Sequence, residues 1–323
     1  MGIAKYIKEI GRGKDGARSL SREQAADLMG QVLDGTVTEL EIGGFCLAMR
    51  IKGETPQEMA GFLDALHMRL AKVPCAGPVV VIPSYNGARR LPGLTVLLAA
   101  LLAREGVQRG FSVLIHGCAT EDTRITSQSV LEACLTLKNK HFSDVDIEKL
   151  AINLIPNSAP QFASTERLSP ALKRLLDVRR AVGLRNSGHS LVKLMNPTSS
   201  KQALLVTSYT HPEYLHSMTA TLELTGAHAM LLRGTEGESV ADARRAPQMD
   251  GFVMGQYMAL SLAQAGSVAT LPDLPSAIDA QTTAVYTLQV LQGERPVPEP
   301  IAKQLVHILH LMEQLQPIQG TTP

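Results

Sequence analysis

The feature that most constrains this chain is a series of short apolar runs, rich in β-branched residues, that begins after residue 78. The first run, Val79 to Ile82, has four consecutive apolar side chains, as is typical of a strand buried on both faces. Similar runs recur at 111–116, 151–156, 203–209 and 228–234. Helices are predicted between several of them, at 94–105, 127–137 and 211–224. This alternation predicts a mostly parallel sheet covered by helices.

Two parts of the chain lack this alternation and predict helices alone. In residues 1–70, amphipathic segments stop at Gly35 and Gly53, and the next segment begins with Thr55 as a cap followed by Pro56. The stretch 168–197 is helical and basic, without a strand, and one interpretation is that it returns to the N-terminal helical unit.

Composition and charge narrow the class of protein. The formal net charge is +1 and aromatic residues make up 4% of the chain, so the chain is not globally basic, and base stacking on many aromatic side chains is disfavoured. The four cysteines are widely spaced, none in a C-x-x-C pair, and are expected to be reduced thiols of a cytoplasmic protein. The longest apolar stretch, Leu94 to Ala103, is too short to span a bilayer, so no membrane partner is predicted.

Three blocks of the sequence resemble anthranilate phosphoribosyltransferase, namely the segment 20–66, HGCATEDTRITSQSVLEACL and VRRAVGLRNSGHSLVKLMNP. The resemblance implies an α/β fold of the nucleoside phosphorylase and phosphoribosyltransferase type. It implies a small all-helical domain made of 1–75 plus about 168–197, and a larger α/β domain with a mostly parallel sheet made of 76–167 and 198–318. It also implies a homodimer that forms through the helical domain.

The enzymes of this family bind phosphoribosyl pyrophosphate, and the loop that matches their pyrophosphate loop departs from the family pattern. The Gly-Thr-Gly-Gly-Asp sequence of the family falls here on Pro83, Ser84, Tyr85, Asn86 and Gly87. Pro83 removes a backbone donor, Tyr85 replaces a glycine that lets a phosphate approach, and Gly87 replaces the aspartate. We therefore interpret this loop as a degenerate pyrophosphate loop. Two alternatives are that it binds another phosphorylated ligand, or that Tyr85 merely fills space.

The family's metal and phosphate contacts are altered as well. The Asp-Glu pair that holds Mg²⁺ in the family falls near Ser239 and Val240, with Glu236 and Glu238 adjacent but out of register, so no metal site is predicted. The family's Lys-His-Gly-Asn-Arg-Ser stretch falls on 115–120 and loses its cations, while Arg124 replaces a family lysine farther on. In the acceptor block, two arginines match the family and two residues differ. The matching residues are Arg179 and Arg185, and the differing ones are His189 for asparagine and Lys193 for proline.

The exchange of acidic for basic residues predicts a positively charged cleft. The residues assigned to it are Arg89, Arg90, Arg124, Arg179, Arg185, Lys193 and Lys201. Our first hypothesis is a homodimer that binds nucleic acid, DNA or RNA, without sequence specificity, through phosphate contacts in this cleft, with no catalytic residue and no cofactor. This hypothesis rests on the resemblance of the sequence to a divergent branch of the family that is associated with nucleic-acid binding. The competing interpretation of each basic residue is a solvated helix face.

Two other hypotheses stay open at this point. The retained Arg124, Arg179 and Arg185 favour an active glycosyl or phosphoribosyl transferase, with phosphoribosyl pyrophosphate, Mg²⁺ and an acceptor other than anthranilate. The third hypothesis is a dimeric interaction protein that binds no small ligand.

Overall fold

The computed structural model describes residues 2–13, 15–75, 77–138 and 159–315 of the chain. Within these ranges, no helix is both long and apolar enough to cross a membrane. The predicted strand at 151–156 lies outside the described residues.

The chain begins with four helices that pack into one layer. They are α1 (Ala4–Ile10), α2 (Arg22–Asp34), α3 (Glu39–Lys52) and α4 (Pro56–His67). Helices α2, α3 and α4 each start with a capping box, in which a Ser or Thr and the Gln or Glu three residues later exchange hydrogen bonds with the backbone. The predicted stops at Gly35 and Gly53 and the predicted start at Thr55 are confirmed.

Three later helices complete this layer. They are α7 (Thr165–Leu168), α8 (Pro170–Val182) and α9 (Gly188–Leu194). Helix α8 contacts α2, and its buried Leu172, Leu175 and Leu176 join the same apolar core as Leu28 of α2. Helix α9 contacts α4. The predicted return of the basic stretch to the N-terminal helices is therefore what the packing shows, while the exact domain bounds stay a prediction.

The second part of the molecule is a mixed, mostly parallel sheet of seven strands in the described ranges. The strands are β1 (Val79–Ser84), β2 (Ser112–Gly117), β3 (Gln161–Ser164), β4 (Ala203–Tyr209), β5 (Ala229–Arg233), β6 (Met249–Val253) and β7 (Gln256–Ser261). Their order in the sheet is β3-β2-β1-β4-β5-β6-β7. The first five in this order pair in parallel, whereas β6 and β7 run antiparallel to their neighbours.

Helices cover both faces of the sheet. The remaining helices are α5 (Thr95–Arg109), α6 (Ser127–Leu137), α10 (Glu213–Leu224), α11 (Ala280–Gln292) and α12 (Glu299–Leu315). Along β1, Val80 and Ile82 join the core formed with α5, α6, α11 and α12, whereas Val79 and Val81 join the core shared with α10 and the helical layer. This alternation explains why β1 is apolar throughout.

The strand order creates a crevice next to β1. From β1 the chain proceeds outward to β2 and β3, and then returns to the other side of β1 with β4 and β5. A ligand crevice is expected beyond the carboxyl ends of the two strands at such a reversal. The loops that follow β1, β4 and β5 meet there.

Candidate functional site

A cavity of about 750 Å³ lies at this reversal, between the carboxyl end of β4 and helices α3, α4, α9 and α10. Its basic lining residues are Arg50, Arg89, Arg90, Arg124, Arg185, His189, Lys193 and His211. Three carboxylates, those of Glu54, Glu213 and Glu236, also line it. The cavity is thus lined by charges of both signs, with cations in the majority, and its volume suits a small ligand.

The loop after β1 wraps around a buried carboxylate that comes from the loop after β5. Glu238 is 2% exposed, and its Oε1 accepts hydrogen bonds from three successive backbone N–H groups, those of Tyr85, Asn86 and Gly87, at 3.1, 2.7 and 2.9 Å. The Ser84 hydroxyl lies 2.5 Å from Oε2. Successive N–H groups that converge on one point form an anion-binding concavity. We call residues Ser84 to Gly87 the N–H cradle.

Two glycines permit this close approach. Gly87 has a φ of +69°, and a side chain there would lie 2.8 Å from the carbonyl oxygen of Ile125. Gly237 has a φ of +88°, and a Cβ there would lie 2.1 Å from Asn86 Nδ2. Positive φ values at both Glu236 and Gly237 make this a tight turn of the hairpin type, closed by the bridge between Thr235 and Glu238. The turn aims the side chains of Glu236 and Glu238 at the loop after β1.

Glu236 holds the next part of the same loop. Its carboxylate accepts hydrogen bonds from the backbone N–H groups of Arg89, at 2.7 Å, and Arg90, at 3.0 Å. Glu236 has a φ of +52°, which costs a non-glycine residue on the order of 1 kcal/mol. The side chains of Arg89 and Arg90 border the cavity, while their backbone groups are already bound.

Tyr85 points away from the cavity and into the core. Its hydroxyl lies 2.8 Å from His116 Nδ1 and accepts a hydrogen bond of 3.1 Å from the Thr165 hydroxyl. Burial raises the pKa of Tyr85 and lowers the pKa of His116 to about 3, so both groups are neutral at physiological pH. The Tyr85 ring thus packs beneath the N–H cradle, which leaves its backbone N–H free to face Glu238.

Two residues of the predicted basic cluster, Arg124 and Arg179, are paired with an acid. Glu121 accepts Arg124 Nε at 2.9 Å and Arg179 Nη2 at 2.5 Å. Burial alone would raise the pKa of Glu121, but these two hydrogen bonds outweigh it and hold the pKa at about 2. Arg180 pairs with Asp122 at 2.8 Å. These arginines organise the loop after β2, and the two carboxylates offset two of their three positive charges.

Three groups of the α9 region face the cavity with few acidic neighbours. Arg185 Nη2 donates to Asn86 Oδ1 at 2.6 Å, and Lys193 Nζ donates to the Ser208 carbonyl oxygen at 3.0 Å. Burial lowers the pKa of Lys193 to about 8, although the Glu238 carboxylate opposes part of this shift. Burial and the charges of Arg185 and Arg179 lower the pKa of His189 to about 4. At neutral pH the wall therefore carries two cations and a neutral imidazole.

Comparisons with known proteins agree on one family. Residues 4–69 match the helical bundle domain of the glycosyl transferase family. The chain is 36% identical to the protein YbiB of Escherichia coli (strain K12), over 94% of this chain and 92% of YbiB. It is 26% identical to the anthranilate phosphoribosyltransferase of Methanopyrus kandleri, over 91% of this chain and 84% of that protein. The chain belongs to the anthranilate phosphoribosyltransferase-like family.

Solved structures of this family share the fold. The anthranilate phosphoribosyltransferase of Thermus thermophilus aligns with a TM-score of 0.68 at 21% identity, over 96% of this chain and 92% of that chain. The Saccharomyces cerevisiae enzyme in complex with PRPP and Mg aligns with a TM-score of 0.66 at 13% identity, over 97% and 89%. The predicted fold class, a helical unit plus a larger α/β unit with a mostly parallel sheet, is confirmed.

The family's Mg²⁺ does not fit the residues found here. Ser239 and Val240, which stand near the family's metal-holding pair, offer no carboxylate. The carboxylates of Glu236 and Glu238 are engaged by backbone N–H groups. Among the described residues, no group of three or more His, Cys, Asp or Glu could hold a metal ion.

The nucleic-acid hypothesis is wrong as the leading function. The anthranilate phosphoribosyltransferases among the relatives and the match to the glycosyl transferase helical domain indicate a phosphoribosyltransferase-like family instead. The geometry also weakens the charge argument, because Glu121 pairs with both Arg124 and Arg179 and offsets one of their two positive charges. Lys201 precedes β4 by two residues, whereas the cavity lies past the other end of that strand, about 20 Å away. Of the seven predicted basic residues, five line the cavity, whereas Arg179 and Lys201 do not; the five are Arg89, Arg90, Arg124, Arg185 and Lys193.

Sequence reasoning found the loop but missed the residue that fills it. Glu238 was assigned no role, because its register rules it out as the family's metal ligand. The available signal was the pattern Glu236-Gly237-Glu238, in which a glycine between two glutamates favours a tight turn that presents both carboxylates on one side.

Proposed function

We propose that this chain is a glycosyl transferase of the phosphoribosyl type, which takes phosphoribosyl pyrophosphate as donor and an acceptor other than anthranilate. The observation that carries this proposal is the cavity at the strand reversal, whose wall presents Arg185 and Lys193 beside a loop that binds anionic oxygen. Membership of the family and the shared fold support it. The substitution His189 in the acceptor block supports a changed acceptor.

The proposed chemistry uses the side chains of the cavity wall. The acceptor atom attacks C1 of the ribose, the bond from C1 to the pyrophosphate oxygen breaks, and pyrophosphate leaves with the bonding electrons. Arg185 and Lys193 stabilise the negative charge that develops on the leaving group, because fixed cations in a partly dry site act strongly on such charge. Mg²⁺ would arrive bound to the donor, since the carboxylates on this loop are already engaged.

Calorimetry with phosphoribosyl pyrophosphate, with and without Mg²⁺, tests this function. We expect saturable binding to the unmodified protein. Arg185→Ala should weaken it by about ten-fold or more, since a hydrogen bond to a charged group contributes about 1.5–3 kcal/mol. Lys201→Ala, which removes a lysine beyond the far end of β4, is the matched control and should bind as the unmodified protein does. An absence of saturable binding up to millimolar donor, in both metal conditions, would contradict the proposal.

We also propose that the chain forms a homodimer through α3. Leu40, Leu47 and Ile51 lie along one side of this helix and are exposed. Such a stripe on a charged surface is typical of a protein contact. Light scattering should give twice the chain mass, and the double variant Leu47→Glu with Ile51→Glu should give the monomer mass. Leu262→Glu, at an exposed apolar residue after β7, is the control, and a monomeric unmodified protein would contradict the proposal.

A further inference from the structure

The N–H cradle is a formed anion site that the chain fills with its own carboxylate. Three successive N–H groups converge within 3.1 Å of Glu238 Oε1, and the Ser84 hydroxyl lies against Oε2. A phosphate oxygen in a glycine-containing loop takes the same set of partners. Unlike a side chain that happens to be near a loop, this carboxylate is buried and uses both of its oxygens.

We propose that Glu238 is an internal substitute for a phosphoryl group: it occupies the N–H cradle, and a phosphorylated ligand reaches the cradle only when Glu238 withdraws. Glu238 thus determines which anions the site accepts and how tightly. The natural ligand named here, a phosphorylated donor, rests on the proposed function, whereas occupation of the cradle does not.

The charges around Glu238 support a competition with ligand anions. In the described part of the chain, no lysine or arginine lies within ion-pair distance of this carboxylate, so N–H dipoles and hydroxyl groups compensate its charge. Two cations border the cradle without contacting Glu238. Arg185 donates to Asn86 of the cradle, and Lys193 donates to the carbonyl of Ser208, whose hydroxyl binds the Gly237 carbonyl at 3.0 Å. A phosphoryl group in the cradle would gain these cations as well as the N–H groups.

Asn86 provides an independent sign that the cradle has spare binding capacity. Its side chain is 5% exposed, and its Nδ2 has no hydrogen-bond partner among the described residues. This donor lies directly against Gly237, next to the turn that delivers Glu238. An unpaired buried amide is costly and is usually matched by a partner. A tetrahedral anion, with more oxygens than a carboxylate, would offer one.

The test measures binding of inorganic pyrophosphate by calorimetry to four proteins. They are the unmodified chain, Glu238→Ala, Glu238→Gln and Glu54→Ala. The alanine variant empties the cradle, whereas the glutamine variant removes the charge but keeps a side chain and a carbonyl oxygen in place. Glu54 lines the same cavity and accepts a hydrogen bond from the Ser187 hydroxyl rather than from a run of backbone N–H groups, so it controls for the loss of one negative charge.

We expect Glu238→Ala to bind pyrophosphate about ten-fold or more tightly than the unmodified chain, and the other two variants to bind within about three-fold of it. Equal gains in all three variants would show an effect of charge alone and overturn the proposal. No gain in Glu238→Ala would overturn it too. Neither result depends on whether the chain consumes phosphoribosyl pyrophosphate, so the proposed transferase function is judged separately.

Folding of the alanine variant gives a second readout. Without the carboxylate, three N–H groups lose their partner, and the melting temperature should fall. Inorganic phosphate should restore it in a concentration-dependent way, because a ligand that binds only the folded state stabilises it. Asp250→Ala removes a buried carboxylate that the side chains of Gln248 and Tyr257 bind, and phosphate should not rescue it. A melting temperature of Glu238→Ala that phosphate leaves unchanged would contradict the proposal.

Discussion

Two buried glutamates among the described residues accept backbone N–H groups, and they differ in how their charge is balanced. Glu58 accepts the N–H groups of Leu20 and Thr55, at 2.9 and 2.8 Å, and forms an ion pair of 2.7 Å with Lys52. Glu238 accepts three N–H groups but has no ion-pair partner among the described residues. The basic group on the cavity wall, Lys193, donates to a backbone carbonyl instead.

Glu58 is therefore a structural carboxylate, whereas a ligand anion can take the place of Glu238. Glu58 joins the residue before α2, the end of α3 and the cap of α4, and its own lysine closes the arrangement. Withdrawal of Glu58 would leave Lys52 buried without an ion-pair partner. Glu238 holds a loop beside a cationic cavity, and another anion could take over every hydrogen bond that it makes. Burial and hydrogen bonds alone therefore do not tell the two roles apart, whereas the position of the nearby cation does.

The largest expected effect is on stability and concerns Glu58. Glu58→Ala should lower the free energy of unfolding by about 3–5 kcal/mol, because it leaves a buried lysine without its partner. Glu238→Ala should cost about 1–3 kcal/mol, as expected for unsatisfied neutral donors. Urea unfolding in a buffer free of phosphate and sulfate gives both values. If Glu238→Ala lost more stability than Glu58→Ala, Glu238 would be the more important of the two for the fold, and the roles assigned to them would be wrong.

A third carboxylate, Glu121, sharpens the comparison through pH. Its folded pKa is about 2, below its ordinary value of 4.5, because Arg124 and Arg179 overcome the effect of burial. The resulting stability is fully present above about pH 4.5 and is lost as the pH falls toward 2. Its total is on the order of 3 kcal/mol.

The matched variant for this prediction is Glu121→Gln. It should be less stable than the unmodified protein at pH 7 and approach it in acid, as urea unfolding at several pH values would show. A difference between the two proteins that does not change with pH would contradict the assigned pKa.

The fold was predictable to the extent that local pattern encodes it. Strand β1 is recognisable because four apolar residues in a row suit a strand covered on both faces, and the helix starts carry capping residues three positions apart. Strands β3, β6 and β7 were missed. Strand β3 has only four residues. Strands β6 and β7 run antiparallel at one edge of the sheet, and β7 is largely exposed, so it lacks the apolar run that marked the others.

The site was less predictable, because its contacts join distant segments. The Glu238 carboxylate lies 151 to 154 positions along the chain from the residues it binds in the cradle. No local sequence pattern indicates such a pairing. Alignment with the family's metal pair showed only that Glu238 is out of register with it. The pairing of Arg179 with Glu121 was missed for the same reason, since the two residues meet only in the folded chain.

The smallest expected effect is on the stability of Lys193→Met, which we compare with that of Lys52→Met. Burial holds the pKa of Lys193 near 8, below its ordinary value of 10.5, so the folded chain releases this proton more readily than the unfolded chain. Stability should therefore rise with pH between about 8 and 10.5.

Lys193→Met should raise the free energy of unfolding at pH 7 by about 1 kcal/mol and remove this rise, since it deletes a buried charge that lacks an ion-pair partner. Lys52→Met should do the opposite at pH 7, because it strands Glu58. Urea unfolding of both variants at neutral and alkaline pH measures the contrast. If Lys193→Met lost as much stability as Lys52→Met, Lys193 would be as important to the fold as Lys52. The cation beside Glu238 would then not be available to bind a ligand.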